Sequence, residues 1–307
     1  MMKAARTFIL ILLCPAAVYL TLIGIACIPY ETTPVDELTG PRDLFVAIRG
    51  DRIHYIKQGQ GPPVILVHGF ACSTFTWRAL IPLLSPNYTV YAVDLLGFGL
   101  SDKPPDADYS FGAQAKRIIS FMEAVRVPSA YLVGHSMGGA VAACTAAAAP
   151  SKINKLVIIA GAVFHGTPPA VLQHLFFPLD KLTARVLYAR PYKRKALDTT
   201  YYRREVVSED DFETYMQPFR TPGAVDALAA ILKTNALKLV DTGILNDISI
   251  PALIVWGNKD RAIPKEDAQR IHQKIQNSQT VYIRQCGHTV QEEKPHELAA
   301  AVSSFLQ

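Results

Sequence analysis

The stretch "YLVGHSMGGAVAAC", residues 131–144, sets one serine between a histidine and a run of glycines. An apolar run leads into it and an alanine-rich run leads out. Gly134-His135-Ser136-Met137-Gly138 reads G-x-S-x-G where a strand pattern gives way to a helix pattern. That context predicts a sharp turn with the Ser136 hydroxyl lifted above the end of a sheet. Glycines on either side let strand and helix approach without Cβ clashes. Ala140, Ala142 and Ala143 let the helix lie close to the sheet. Free N–H groups at the start of that helix suit an oxyanion. Ser136 is therefore the candidate nucleophile; the alternative reading is a plain glycine-rich turn.

Working outward, "LFVAIRGDRIHYIKQG" (44–59) reads as a hairpin turning at Gly50-Asp51. Short apolar runs follow at 63–69, 89–95, 130–136, 155–161, 252–260 and 280–288, each ending in small or polar residues. Runs without alternation suit parallel strands buried on both faces. Helical patterns separate them: "AQAKRIISFMEAV", "MGGAVAACTAAAA", "EDAQRIHQKI" and "HELAAAVSSFL". The fold class is α/β, a mostly parallel, doubly wound sheet. Residues 164–235 break the rhythm with aromatics and prolines and read as a helical cap over the strand ends, where ligands bind in such sheets. The expected division is 1–30 membrane or signal segment, 31–43 linker, 44–163 and 236–307 core, and 164–235 cap.

A nucleophilic serine needs a base, and the base an orienting acid. His135 adjoins Ser136, so its side chain is expected to point elsewhere. His54 falls in the hairpin, His68 in another loop, His165 and His174 in the cap, and His272 and His296 in helices. His288, in "QCGHTVQEEKP", follows the last strand on the correct edge and is the candidate base. Asp260, in "VWGNKDRAIP", follows the preceding strand and is the candidate acid. The order Ser, Asp, His suits a nucleophile of this type. The turn "HGFACSTFTW" offers the Phe70 N–H to pair with the Met137 N–H as an oxyanion hole, with Ser73 or Thr74 capping the next helix. Asp94, in "VDLLGFGLSDKP", reads as a carboxylate accepting turn N–H groups shaped by Gly97 and Gly99.

The chain has 307 residues, half of them hydrophobic, and a formal charge of +5. That charge does not point to a nucleic-acid partner. Five scattered cysteines show no disulfide framework and no metal-ligand spacing. Phe8 to Tyr30 carries no charge, and as a helix it would reach about 34 Å, enough to cross a hydrocarbon core. Lys3 and Arg6 precede it and acids follow, so a single-pass anchor would leave the rest of the chain outside the cytoplasm. The rival is a cleaved signal peptide, with Gly24-Ile25-Ala26 as the small-x-small site and a secreted or periplasmic product. A lipoprotein signal ending at Cys27 is disfavoured by Gly24.

Together HGF (68–70), DLLGFGLSDKP (94–104), GHSMGG (134–139), WGNKD (256–260) and GH (287–288) resemble the α/β-hydrolase superfamily, from Leu44 to the C-terminus. The spacing resembles capped members such as epoxide hydrolases and haloalkane dehalogenases, which carry aspartate where Ser136 stands. Carbon–carbon bond hydrolases and proline iminopeptidases usually have extra glycines after HG, and Phe70 argues against both. What remains resembles serine esterases, monoacylglycerol lipases and perhydrolases. The resemblance implies ester hydrolysis through an acyl-enzyme with no metal or organic cofactor. Acyl transfer to an alcohol, or a non-catalytic binding protein, are the alternatives.

The substrate and the oligomeric state are not legible. Cap aromatics imply an apolar pocket or simply a cap core. Between Arg185 and Arg204, seven basic residues face one acid, Asp198, with tyrosines interleaved. This run reads either as a solvated face or as a surface laid against anionic lipid headgroups.

Overall fold

The computed structural model describes residues 17–164, 174–203, 207–233 and 242–307. Eight strands form one sheet in the order β1-β2-β4-β3-β5-β6-β7-β8. They are β1 Asp43–Ile48, β2 Asp51–Gln58, β3 Pro63–Val67, β4 Thr89–Val93, β5 Ala130–His135, β6 Ile153–Ile159, β7 Ala252–Gly257 and β8 Ser278–Ile283. The β1–β2 and β2–β4 pairs are antiparallel and every other pair is parallel. In the hairpin Ile48 faces Asp51, so the turn is Arg49-Gly50 rather than Gly50-Asp51. Both turn residues have positive φ, 54° and 98°, which matches the twist of the strands they join.

The unalternated apolar runs have a direct cause. Successive side chains point to opposite faces, and here both faces are covered. Ile65 and Val67 of β3 pack in one layer with Leu132, Ile158 and Trp256. Val64 and Leu66 pack on the other with Trp77, Val157, Val255 and Leu298. The helices over the first layer are α1 Phe111–Ala124, α2 Met137–Ala148 and α7 Glu266–Lys274, and α8 Pro295–Leu306 covers the second. Each large side chain so buried contributes about 1.5–3 kcal/mol. Helix α2 is buried continuously from Met137 to Ala146, which its small residues allow.

Between β6 and β7 lie α3 Leu179–Tyr188, α4 Arg190–Thr200, α5 Glu209–Met216 and α6 Ala224–Lys233. Five of the aromatics in this insertion (Tyr188, Tyr201, Phe212, Tyr215 and Phe219) are its own core, joined by Ala71 from the turn after β3. Phe176, Phe177 and Tyr192 are exposed instead. A polar latch fastens the insertion to the sheet domain. The buried Glu292 carboxylate accepts from Thr76 Oγ1 at 2.7 Å and from the Tyr215 hydroxyl and the Arg78 guanidinium. Arg78 also reaches Asp211 of α5 at 3.1 Å.

Residues 17–27 are helical. Arg185 of α3 donates to the carbonyls of Ile25 at 3.1 Å, Ala26 at 3.2 Å and Ile28. Those carbonyls end the helix, where partners are missing and a cation complements the dipole. Tyr19 donates to the Phe177 carbonyl at 3.2 Å and Thr33 N–H to the Arg220 carbonyl at 2.7 Å. Among the described residues no helix is long and apolar enough to cross a membrane. The expected span from Phe8 begins outside the described residues, as does His165.

The basic run is not the continuous cationic face its spacing allows. Arg190 pairs with Glu209 and Glu213, and Arg194 with Glu209. Arg185 is committed to the helix end just described. Lys193 is buried, and so are Tyr188 and Tyr201. The acids that neutralise the run come from α5, outside the stretch itself, so linear charge counting misses them.

Candidate active site

Ser136 joins β5 to α2 with φ 53° and ψ −120°. A non-glycine residue there stores about 1–3 kcal/mol of strain, which the surrounding close packing sustains. A Cβ on Gly134 would stand 2.2 Å from the Gly138 carbonyl oxygen, and one on Gly138 would stand 2.2 Å from that of Val67. Only glycines allow this turn. Ser136 N–H donates to the Ile159 carbonyl, and the Ser136 carbonyl accepts from Gly139 and Ala162, all at 2.9 Å. The serine backbone is thus pinned to β6 and to the loop that follows it.

Asp260 and His288 come together at the same edge. His288 Nδ1 lies 2.8 Å from Asp260 Oδ2. Asp260 Oδ1 accepts from the N–H groups of Ala262 at 2.8 Å and Ile263 at 3.0 Å, which fixes the carboxylate plane. A cavity of about 490 Å³ is lined by Ser136, His288, Phe70 and Met137, and by Leu187, Tyr192 and Leu228 of the insertion. Sheet domain and insertion therefore build it jointly. The Met137 N–H opens α2, so it has no partner within the helix, and Met137 lines this space.

Three of the histidines passed over as the base, His68, His135 and His54, brace the loops around the site. The His68 Nδ1–H donates to the Gly69 carbonyl at 2.7 Å, and Nε2 accepts from Leu95 N–H at 3.1 Å. Those partners require the neutral ring, and burial pushes its pKa down. Cys72 N–H reaches the same Gly69 carbonyl at 3.3 Å, so the peptide that bears the Phe70 N–H is held from two sides. His135 turns away from Ser136, as expected, and meets the carbonyl of His288 instead. His54 lies between Asp94 at 2.6 Å and Asp43 at 2.8 Å. The carboxylates outweigh desolvation and raise its pKa to about 9. Asp94 accepts from Thr74 N–H at 2.6 Å and Leu100 N–H at 2.8 Å, so it is the turn carboxylate its loop predicts. Ser73 caps the following helix by accepting from Phe75 N–H at 3.3 Å.

The insertion reaches the histidine loop as well. His288 N–H donates to the Thr200 carbonyl at 2.7 Å. Glu293 accepts from Gly287 N–H at 2.7 Å and Tyr202 N–H at 2.8 Å. No motif marks Glu293, which ties the residues after α4 to the histidine loop, or Lys193, which ties α4 to the turn after β3; the only hint is Lys193's place in the basic run.

A sequence profile of the α/β hydrolase fold matches residues 62–295. The chain is 31% identical to a 2-hydroxy-6-oxo-2,4-heptadienoate hydrolase of Pseudomonas putida, over 81% of this chain and 90% of that protein. It is 29% identical to the uncharacterised hydrolase YugF of Bacillus subtilis, over 83% and 93%. Among solved structures, a membrane phospholipase A described as a bacterial virulence factor superposes with a TM-score of 0.72 and 25% identity, covering 100% of this chain and 98% of that one. The epoxide hydrolase CorEH shares the fold with a TM-score of 0.75 at 24% identity, over 86% of this chain and 98% of that one. With the strained serine turn, the strand order and these likenesses in agreement, the chain belongs to the α/β hydrolase fold family.

Proposed function

We propose that this hydrolase cleaves carboxylic esters of apolar, lipid-like acyl groups through Ser136, His288 and Asp260. The observation that carries the reading is the 2.8 Å contact of the buried Asp260 side chain with His288, which lines one apolar cavity together with a serine on a strained turn. As Ser136 Oγ attacks the ester carbonyl, His288 takes its proton. Asp260 holds the Nδ1–H and stabilises the imidazolium. The N–H groups of Phe70 and Met137 receive the oxyanion. His288 then protonates the departing alcohol, leaving an acyl-enzyme. Water attacks that ester with His288 again as base, which frees the acid and restores the Ser136 hydroxyl.

In this reading residues 164–235 are the cap over a core of 44–163 and 236–307, and the N-terminal segment holds the enzyme at a membrane with the hydrolase domain extracytoplasmic. Surface chemistry supports attachment. Apart from Leu44 and Tyr282, every exposed large apolar side chain among the described residues lies between 18 and 28 or between 176 and 192. The likeness to a membrane phospholipase A over the full chain points the same way. Hydrolysis of a carbon–carbon bond is the second reading, favoured by the name of the Pseudomonas putida relative. The test is a fluorophosphonate probe together with p-nitrophenyl esters of graded chain length. Labelling of Ser136 and turnover of medium or long esters support ester hydrolysis; labelling with cleavage of a keto-dienoate alone supports the second reading; no labelling removes both.

A further inference from the structure

Helix α4 presents Arg190, Lys193 and Arg194 within two turns. The arginines turn outward to Glu209 and Glu213. Lys193 turns inward, is 7% exposed, and lines the cavity that holds Ser136 and His288. Its Nζ donates to the Ala71 carbonyl at 2.6 Å and lies 4.6 Å from the centre of the Phe219 ring. Among the described residues no carboxylate lies within ion-pair reach, and the Cys72 thiol is its one titratable neighbour of note.

An ammonium taken from water into such a place loses several kcal/mol of solvation. One carbonyl and one ring face occupy one of its three donors and part of its charge. A methionine of similar length would fill the space without that penalty, and apolar replacement of a buried charge is often neutral or stabilising. The unmatched charge faces the ligand cavity, beside the turn that bears the Phe70 N–H, so its natural counter-ion is part of the ligand.

We propose that Lys193 is an anion-binding residue of this cavity, and that the substrate is an ester carrying a carboxylate or a phosphate that takes the two remaining N–H donors. This rests on the cavity being the substrate site of the hydrolase proposed above. The competing role is a latch, in which Lys193 serves only to hold α4 on the Ala71 turn.

The experiment measures binding to the full-length Ser136→Ala protein, so it needs no turnover. Hexanoate, hexyl phosphate and hexan-1-ol share a chain and differ in the head group. With Lys193 present, at least one anion binds as tightly as the alcohol or tighter, although water solvates the anion far better. Lys193→Met weakens that anion 10-fold or more and changes hexanol less than 2-fold, while Lys193→Arg retains anion binding. The stronger of the two anions identifies carboxylate or phosphate. Equal loss of anion and alcohol in Lys193→Met overturns the proposal in favour of the latch. Hexanol binding 10-fold tighter than both anions in the protein that retains Lys193 overturns it without any change at 193, so a Lys193→Met protein that fails to fold does not rescue it. Fluorophosphonate labelling of the protein with Ser136 intact reports separately on the hydrolase reading.

Discussion

His135 Nε2 lies 3.0 Å from the backbone carbonyl oxygen of His288. A carbonyl only accepts, so the ring carries its proton on Nε2 and donates. The two rings sit 4.8 Å apart. The residue before the candidate nucleophile thus supports the loop of the candidate base, and burial keeps its pKa well below the ordinary histidine value. His135→Phe keeps a ring there and removes the donor. Leaving that carbonyl unpaired costs about 1–3 kcal/mol, so a fall of about 10-fold or more in kcat is expected, with a lower Tm. Unchanged kcat in His135→Phe would show that the bond does not position His288.

Ser136→Ala keeps the fold and lowers ester turnover by roughly three orders of magnitude or more. Circular dichroism and melting should match the parent protein, because only a half-buried hydroxyl is lost. Near-normal turnover in this variant would end the mechanism.

Asp260→Asn and Asp94→Asn separate a catalytic carboxylate from a structural one. An amide at 260 keeps an acceptor for Ala262 and Ile263 but favours the wrong His288 tautomer, so kcat should fall about 10³-fold or more with little change in Tm. An amide at 94 weakens the contacts to His54, Thr74 and Leu100, so Tm should fall while the rate at low temperature changes little. A larger rate loss at 94 than at 260, at equal stability, would reverse the assignment.

His54 makes stability pH-dependent. Its folded pKa is raised to about 9 by Asp94 and Asp43, against about 6.5 for an ordinary histidine. A raised pKa favours the fold while the ring is charged in the folded state. The contribution is complete below about pH 6.5 and is lost as pH rises through 9. A shift of this size corresponds to roughly 3 kcal/mol for the trio. Chemical denaturation from pH 6 to 10 should show this decline, and His54→Gln should flatten it. An equal slope in both proteins would place the pH dependence elsewhere.

Glu292→Ala strips Thr76, Tyr215 and Arg78 of their common acceptor and leaves Asp211 as the carboxylate partner of Arg78. Breaking such a buried network costs about 3–5 kcal/mol. A double-mutant cycle with Tyr215→Phe should show coupling well above the experimental error, because both changes touch one carboxylate. Additive effects would show that the latch is not a single network.

Local pattern carried the fold and the three candidate catalytic residues. Unalternated runs mark strands covered on both faces, and 134–138 marks a turn that only Gly134 and Gly138 permit, so both are written in neighbouring residues. Asp260 and His288 follow from their positions after β7 and β8, since chain order in a parallel sheet dictates which edge each loop occupies. The support of the site is different. His135 bonds a carbonyl 153 residues away, His54 joins Asp43 to Asp94, and Glu292 gathers Thr76, Arg78 and Tyr215. Asp43 and His54 are diagonal neighbours across the β1–β2 hairpin, but Asp94, His288 and the partners of Glu292 come from elements far apart in the chain. The run from 185 to 204 shows the difference most plainly. Its charge is visible in the sequence, but whether each cation meets solvent, a carboxylate or the cavity depends on which face α4 turns toward the strand ends. That choice is made by packing Tyr188, Leu197 and Phe219 into one core, and it sends Arg190 and Arg194 outward to α5 and Lys193 inward to the site.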